Sequence, residues 1–136
     1  MSEKLTGSCK CGQIRYEISP ERLVAANCHC NMCKKMTGGA FSSIVLVDDS
    51  TFVLLDGEEL LTHYTVSERA SKHFCSRCGS PVFSRHIGFP GKRLIALGTL
   101  DDPTAVTPGV NVFCESILRW AGAVGDLPSF DREPPR

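Results

Sequence analysis

The sequence predicts a mainly β domain, and three observations predict it. Apolar and β-branched residues come in short runs rather than long amphipathic stretches. Twelve glycines and eight prolines punctuate those runs. Only one short segment, Asn31 to Met36, reads as helix. Many short strands separated by turn residues and little helix define an all-β domain.

Gln13-Ile14-Arg15-Tyr16-Glu17-Ile18 alternates strictly, which puts Ile14, Tyr16 and Ile18 on one buried face. Ser19-Pro20-Glu21 breaks that strand. Leu23 to Asn27 forms the next and delivers Cys28. Asn31 is placed to cap the helix, which carries Cys33 in its first turn and ends at Gly38-Gly39. Phe41 to Val47 is β-rich and stops at Asp48-Asp49-Ser50. Thr51 to Leu55 and Leu60 to Val66 read as two strands joined by a hairpin-like turn, Asp56-Gly57-Glu58-Glu59. Ser67 to Ser71 is polar and reads as loop. Strands follow at Val82 to Arg85, Leu94 to Leu97 and Val110 to Phe113. From about Gly125 the chain, with Pro128, Pro134 and Pro135, reads as an extended tail. No internal repeat and no linker interrupts residues 1–136, so the expectation is a single domain.

Composition narrows the function classes. The chain has 136 residues, 42% hydrophobic and 22% charged, a globular balance. A chain this long buries roughly two-thirds of its unfolded surface and needs no staple to build a core. Lys+Arg and Asp+Glu both number 15. Zero net charge argues against duplex nucleic acid as the main partner, because phosphate binding draws on a basic surplus. The first residues, Met1-Ser2-Glu3-Lys4, are polar, and no apolar run is long enough for a membrane helix. The expectation is a cytoplasmic protein with no membrane partner.

Eight cysteines are the one compositional oddity. Without a signal segment, such a count favours metal binding or catalysis over disulfides. Cys9-Lys10-Cys11-Gly12 and Cys75-Ser76-Arg77-Cys78-Gly79 supply four thiolates from distant parts of the sequence. The glycine after each pair tolerates the positive φ of a tight turn. Four thiolates complete a tetrahedron around zinc, a closed structural site that staples the fold. The competing reading of Cys75 and Cys78, a redox dithiol, lacks the βαβ surroundings of that motif.

Cys28-His29-Cys30-Asn31-Met32-Cys33 holds three more. Three thiolates are one short of a closed tetrahedron, and a zinc held by three protein ligands keeps a position for water or substrate. His29, Cys114 or a distant carboxylate could instead close the site, or Cys30 could be a small buried hydrophobe. Cys114 falls on the same strand face as Val110 and Val112 and reads as core.

Four ordered motifs now carry a resemblance: Gly7-x-Cys9-x-Cys11-Gly12-x-Ile14-x-Tyr16, Cys28-His29-Cys30-x-x-Cys33, Phe74-Cys75-x-x-Cys78-Gly79-Ser80-Pro81 and Gly98-Thr99-Leu100-Asp101-Asp102-Pro103. Together they resemble the glutathione-dependent formaldehyde-activating enzyme family, which includes centromere protein V-like members. The match runs from Gly7 to about Phe130. The resemblance implies a β-tent fold of packed antiparallel sheets and two zinc ions per chain. It assigns Cys9, Cys11, Cys75 and Cys78 to a structural zinc, and Cys28, Cys30 and Cys33 to a catalytic one. It also implies a carbon–sulfur lyase that joins glutathione, a small thiol, to formaldehyde, a small aldehyde, as S-hydroxymethylglutathione. Family members often carry histidine where this chain has Asn111, which forms hydrogen bonds but does not titrate near neutral pH. The two carboxylates of glutathione call for cations, and Lys34, Lys35 and Arg85 are the candidates.

Overall fold

The computed structural model describes residues 3–135. Among the described residues ten strands form two sheets, accompanied by one α-helix. The small sheet has the order β1-β2-β5, from Leu5–Ser8 (β1), Arg15–Ile18 (β2) and Phe52–Asp56 (β5). The large one contains Val24–Cys28 (β3), Ser42–Asp48 (β4), Leu61–Ser67 (β6), Ala70–Cys75 (β7), Pro81–His86 (β8), Lys92–Ala96 (β9) and Val110–Val112 (β10). Its order is β10-β3-β4-β9-β8-β7-β6. All pairings are antiparallel except that of β10 with β3. The α-helix, α1, spans Asn31–Thr37. No helix among the described residues is long and apolar enough to cross a membrane.

Strict alternation puts Ile14, Tyr16 and Ile18 fully inside. They meet one face of the large sheet, where Ala25, Val45, Ile95 and Phe83 lie side by side across four paired strands. Phe52 joins the layers: its ring stacks on Tyr16 at 5.4 Å and meets the edge of Phe83 at 5.5 Å. The Arg93 guanidinium covers the Phe52 ring at 4.2 Å while its Nε donates to Asp49 at 3.0 Å. Arg85 donates to the other Asp49 oxygen at 3.1 Å. Although partial burial raises the Asp49 pKa, the two guanidiniums outweigh it and hold the carboxyl below its ordinary value.

The structure corrects several expectations. Leu5–Ser8 is a strand that the sequence does not announce; with one large apolar residue it shows no period, and its pairing with β2 supplies the order. The segment Asp56 to Glu59 is not a hairpin. The strands it joins lie in different sheets, so it is a crossover, with Gly57 at φ 87°. The loop expected at Ser67 to Ser71 shrinks to a turn at 68–69, because Ala70 and Ser71 already pair with β6 and β8. Cys30, not Asn31, caps α1: its Sγ accepts from the Cys33 amide at 3.2 Å. The last strand stops at Val112, since Phe113 takes the left-handed conformation at φ 57°. Cys114 consequently lies exposed in a 3₁₀ turn, Cys114–Ser116, and not in the core. Beyond 3₁₀ turns at Arg119–Asp126, residues 127–135 are exposed and form no strand or helix.

The crossover gives a direct test. A Cβ at Gly57 would lie 2.4 Å from the Gln13 carbonyl oxygen and 2.7 Å from Ile14 Cα. Both are backbone atoms and cannot rotate away. Gly57→Ala is expected to cost about 2–4 kcal/mol, strain at positive φ adding to overpacking. Urea melts of the two proteins measure it.

Candidate active site

All eight cysteines are free thiols, and seven of them gather in two groups. In each group the sulfurs lie within 4.8 Å of one another. Cys9, Cys11, Cys75 and Cys78 form the first, and Cys28, Cys30 and Cys33 the second.

The first group is made by two facing turns. One leaves β1: the Gly12 amide donates to the Cys9 carbonyl at 3.0 Å, with Gly12 at φ 80°. The other leaves β7: the Gly79 amide donates to the Cys75 carbonyl at 2.8 Å, with Gly79 at φ 79°. Each turn points backbone amides at its first, buried sulfur. Ile14 donates to Cys9 Sγ at 3.3 Å, and Arg77 and Cys78 donate to Cys75 Sγ at 3.4 and 3.5 Å. The Lys10 amide donates to Ser80 Oγ at 2.9 Å and joins the turns directly. One turn belongs to the small sheet and the other to the large sheet, so this group ties the two layers together.

The sulfur spacing fits a metal. Cys9 and Cys11 sulfurs lie 3.5 Å apart, and Cys11 and Cys75 sulfurs 3.9 Å. Zinc–sulfur bonds of about 2.3 Å put tetrahedral sulfurs about 3.8 Å from each other. Protonation of the group is divided. Hydrogen bonds from Ser80 pull Cys78 down to about 5. Burial raises Cys9, but the Ile14 amide and the neighbouring thiols carry it below its ordinary value. The Gln13 amide draws Cys11 down, yet burial and the other three sulfurs push it up to about 11. Four thiolates this close repel, and a soft divalent cation at their centre removes the conflict.

The second group sits where β3 runs into α1. Cys28 ends the strand, Cys30 caps the helix and Cys33 lies in its first turn. β10 braces the join from the side: Val112 pairs with Cys28, and the His29 amide donates to the Val112 carbonyl at 3.0 Å. Buried His29 turns its ring to Phe41 and donates from Nε2 to Asn111 Oδ1 at 3.0 Å. Its Nδ1 is buried with no hydrogen-bond partner. Neither His29 nor Cys114 joins the sulfur group, so among the described residues the group stays at three ligands. Burial pushes the Cys28 and Cys33 thiols up. Cys30 is also raised by burial, but the Cys33 amide and the adjacent sulfurs bring it below its ordinary value.

Cys28, Cys30 and Cys33 also line a cavity of about 430 Å³. Its floor is the face of the large sheet turned away from the core, and Lys72, Ser84, Arg85 and His86 stand at the side away from the cysteines. Of the cations expected near the site only Arg85 lines it, already paired with Asp49. Lys34 Nζ donates to the Ser116 carbonyl at 2.6 Å, fastening α1 to the chain after β10, and Lys35 is exposed. Sequence reasoning missed Lys72, His86 and Phe113. The alternation of Ala70, Lys72 and Phe74 places Lys72 on the cavity face, but it shows only once residues 70–71 are read as strand.

Comparison with known proteins agrees with this picture. Residues 4–116 match the family model described as glutathione-dependent formaldehyde-activating enzyme. A protein of Halomonas elongata, provisionally named a glutathione-dependent formaldehyde-activating enzyme, is 33% identical over 85 residues. That alignment covers 58% of this chain and only 54% of the relative's length. A crystal structure of a Rhodobacter sphaeroides protein superposes with a TM-score of 0.64 at 22% identity, covering 78% of this chain and 97% of the other. At that identity the likeness speaks for the fold. On the extent of the family match, this chain belongs to the glutathione-dependent formaldehyde-activating enzyme family.

Proposed function

We propose that the chain is a zinc-dependent carbon–sulfur lyase-type enzyme, forming or splitting the adduct of a small thiol such as glutathione with a small aldehyde. Cys9, Cys11, Cys75 and Cys78 hold a structural zinc, and Cys28, Cys30 and Cys33 hold the catalytic one. The observation that carries this reading is the placement of the two groups: the three-cysteine group lines the large cavity, whereas the four-cysteine group does not. An incomplete ligand set facing a cavity is how a catalytic zinc differs from a structural one.

The reaction needs no oxidant. The thiol sulfur donates an electron pair to the carbonyl carbon and forms the carbon–sulfur bond. The π pair of the carbonyl moves to oxygen, which takes the proton the thiol gives up. A zinc bound by three thiolates supplies a place where a substrate sulfur is held ionised at neutral pH. Cys28, Cys30 and Cys33 fix that place at the cavity wall. Against the effect of burial, the Cys33 amide at 3.2 Å from its sulfur favours the charged form of Cys30. The His29–Asn111 pair locks the loop between the first two ligands, so Asn111 acts here as a hydrogen-bond acceptor and not as a titrating group. The reading takes residues 1–136 as one domain working in the cytoplasm, where unpaired thiols persist.

Calorimetry with glutathione, paired with turnover of glutathione and formaldehyde against a no-enzyme blank, tests it. The metallated protein is expected to bind the thiol and to exceed the blank. Absence of both overturns the assignment to thiol–aldehyde chemistry.

A further inference from the structure

Glutathione is polar and formaldehyde has one carbon, so neither matches the apolar floor of the cavity beside Cys28, Cys30 and Cys33. Register identifies its floor. Val24, Leu46 and Leu94 face each other across β3, β4 and β9, with Ala26 and Ile44 paired in a second row. Val110 extends that second row through its pairing with Ala26. None of these six side chains carries a polar atom. At about 430 Å³ the space falls in the range of small-molecule sites, which are apolar with a few polar groups at defined points.

Here the polar groups mark the far limit. Leu94 pairs with Ser84, and Ser84 pairs with Lys72, whose Nζ lies 3.5 Å from Ser84 Oγ. The apolar row on β3, β4 and β9 spans two strand spacings, about 10 Å, and the polar limit begins on the next strand, β8. At the near rim stands Phe113, 60% exposed and held at φ 57°, a conformation bulky residues rarely take. Strain of this kind clusters where a side chain must be aimed at a ligand.

Resting on the reading of Cys28, Cys30 and Cys33 as the reacting site, we infer that the adduct taken there carries an apolar group on the carbon that the aldehyde contributes, about six to eight carbons long to match about 10 Å of apolar floor. The substrate class is a medium-chain or aryl aldehyde. Addition to the thiol is the balanced step given above, with a hydrocarbon group in place of one hydrogen of formaldehyde.

The test compares formaldehyde, hexanal and octanal with glutathione as the thiol, each enzymatic rate divided by its own uncatalysed rate. Calorimetry of ethanethiol and hexanethiol gives a second readout that needs no turnover. Hexanal is expected to exceed formaldehyde at least tenfold in the normalised kcat/KM, and hexanethiol to bind at least tenfold tighter than ethanethiol. Leu46→Gln is expected to bring both ratios toward one. Phe113→Ala, at an exposed position where folding is not at stake, should lower both three- to tenfold. Detectable thiol binding with no dependence on chain length overturns the apolar-substrate inference and leaves the reacting site standing. No binding of either thiol and no turnover of any aldehyde overturns both.

Discussion

Replacement of Cys75 by serine is expected to unfold the protein. Cys75 is fully buried, and its sulfur accepts two backbone amides and sits 3.9 Å from that of Cys11. It therefore holds together turns from different sheets, 64 residues apart in sequence. Structural zinc contributes on the order of 10–16 kcal/mol to small zinc-binding peptides, against a typical domain stability of about 5–15 kcal/mol. Losing even half of that contribution removes most of the margin. Circular dichroism of Cys75→Ser should lack the β signal and the cooperative melt of the wild type. A strong chelator should produce the same state from the unmutated protein. A variant that melts within a few degrees of wild type would remove the structural role from the four-cysteine group.

Cys30→Ser is expected to do the reverse. The serine hydroxyl can replace the Cys30 sulfur as acceptor for the Cys33 amide, and serine is among the best helix caps. The group it belongs to lies within one loop and one helix turn, so no distant layers part when it is weakened. The melting temperature should shift by less than about 4 °C, equivalent to under about 1 kcal/mol for a domain of this size. Glutathione binding should fall at least a hundredfold, since two cysteines hold zinc poorly. Equal binding by wild type and variant would contradict a metal-centred site even if the fold is right.

How much of this was legible in the sequence depends on the range of the interaction. Alternation at Ile14, Tyr16 and Ile18 exposed a core face because a strand's period is a local property, and all three side chains are fully buried. The cysteine spacings were legible for a related reason: tight turns bring neighbouring sulfurs together whatever the remainder of the chain does, and the structure sets the Cys9–Cys11 turn against the Cys75–Cys78 turn. Partnership between strands was not legible. Nothing local in Asp56 to Glu59 separates a crossover from a hairpin, because the difference lies in which sheet each neighbour joins. Phe113 likewise carries no signal of its left-handed backbone, and that one residue takes Cys114 out of the strand and onto the surface. The cavity depended on both kinds of information. Val24, Leu46 and Leu94 read as ordinary core residues until their register places them together on the face opposite the core.

The most direct measurement is the zinc content of the purified protein and of Cys30→Ser, taken before and after mild chelation. Two zinc ions in wild type are expected, one removed by mild chelation without change in the circular dichroism spectrum, and a single tightly held zinc in Cys30→Ser. At most one zinc in undamaged wild type, or two that leave together as the fold collapses, would contradict the division into a structural and a catalytic site.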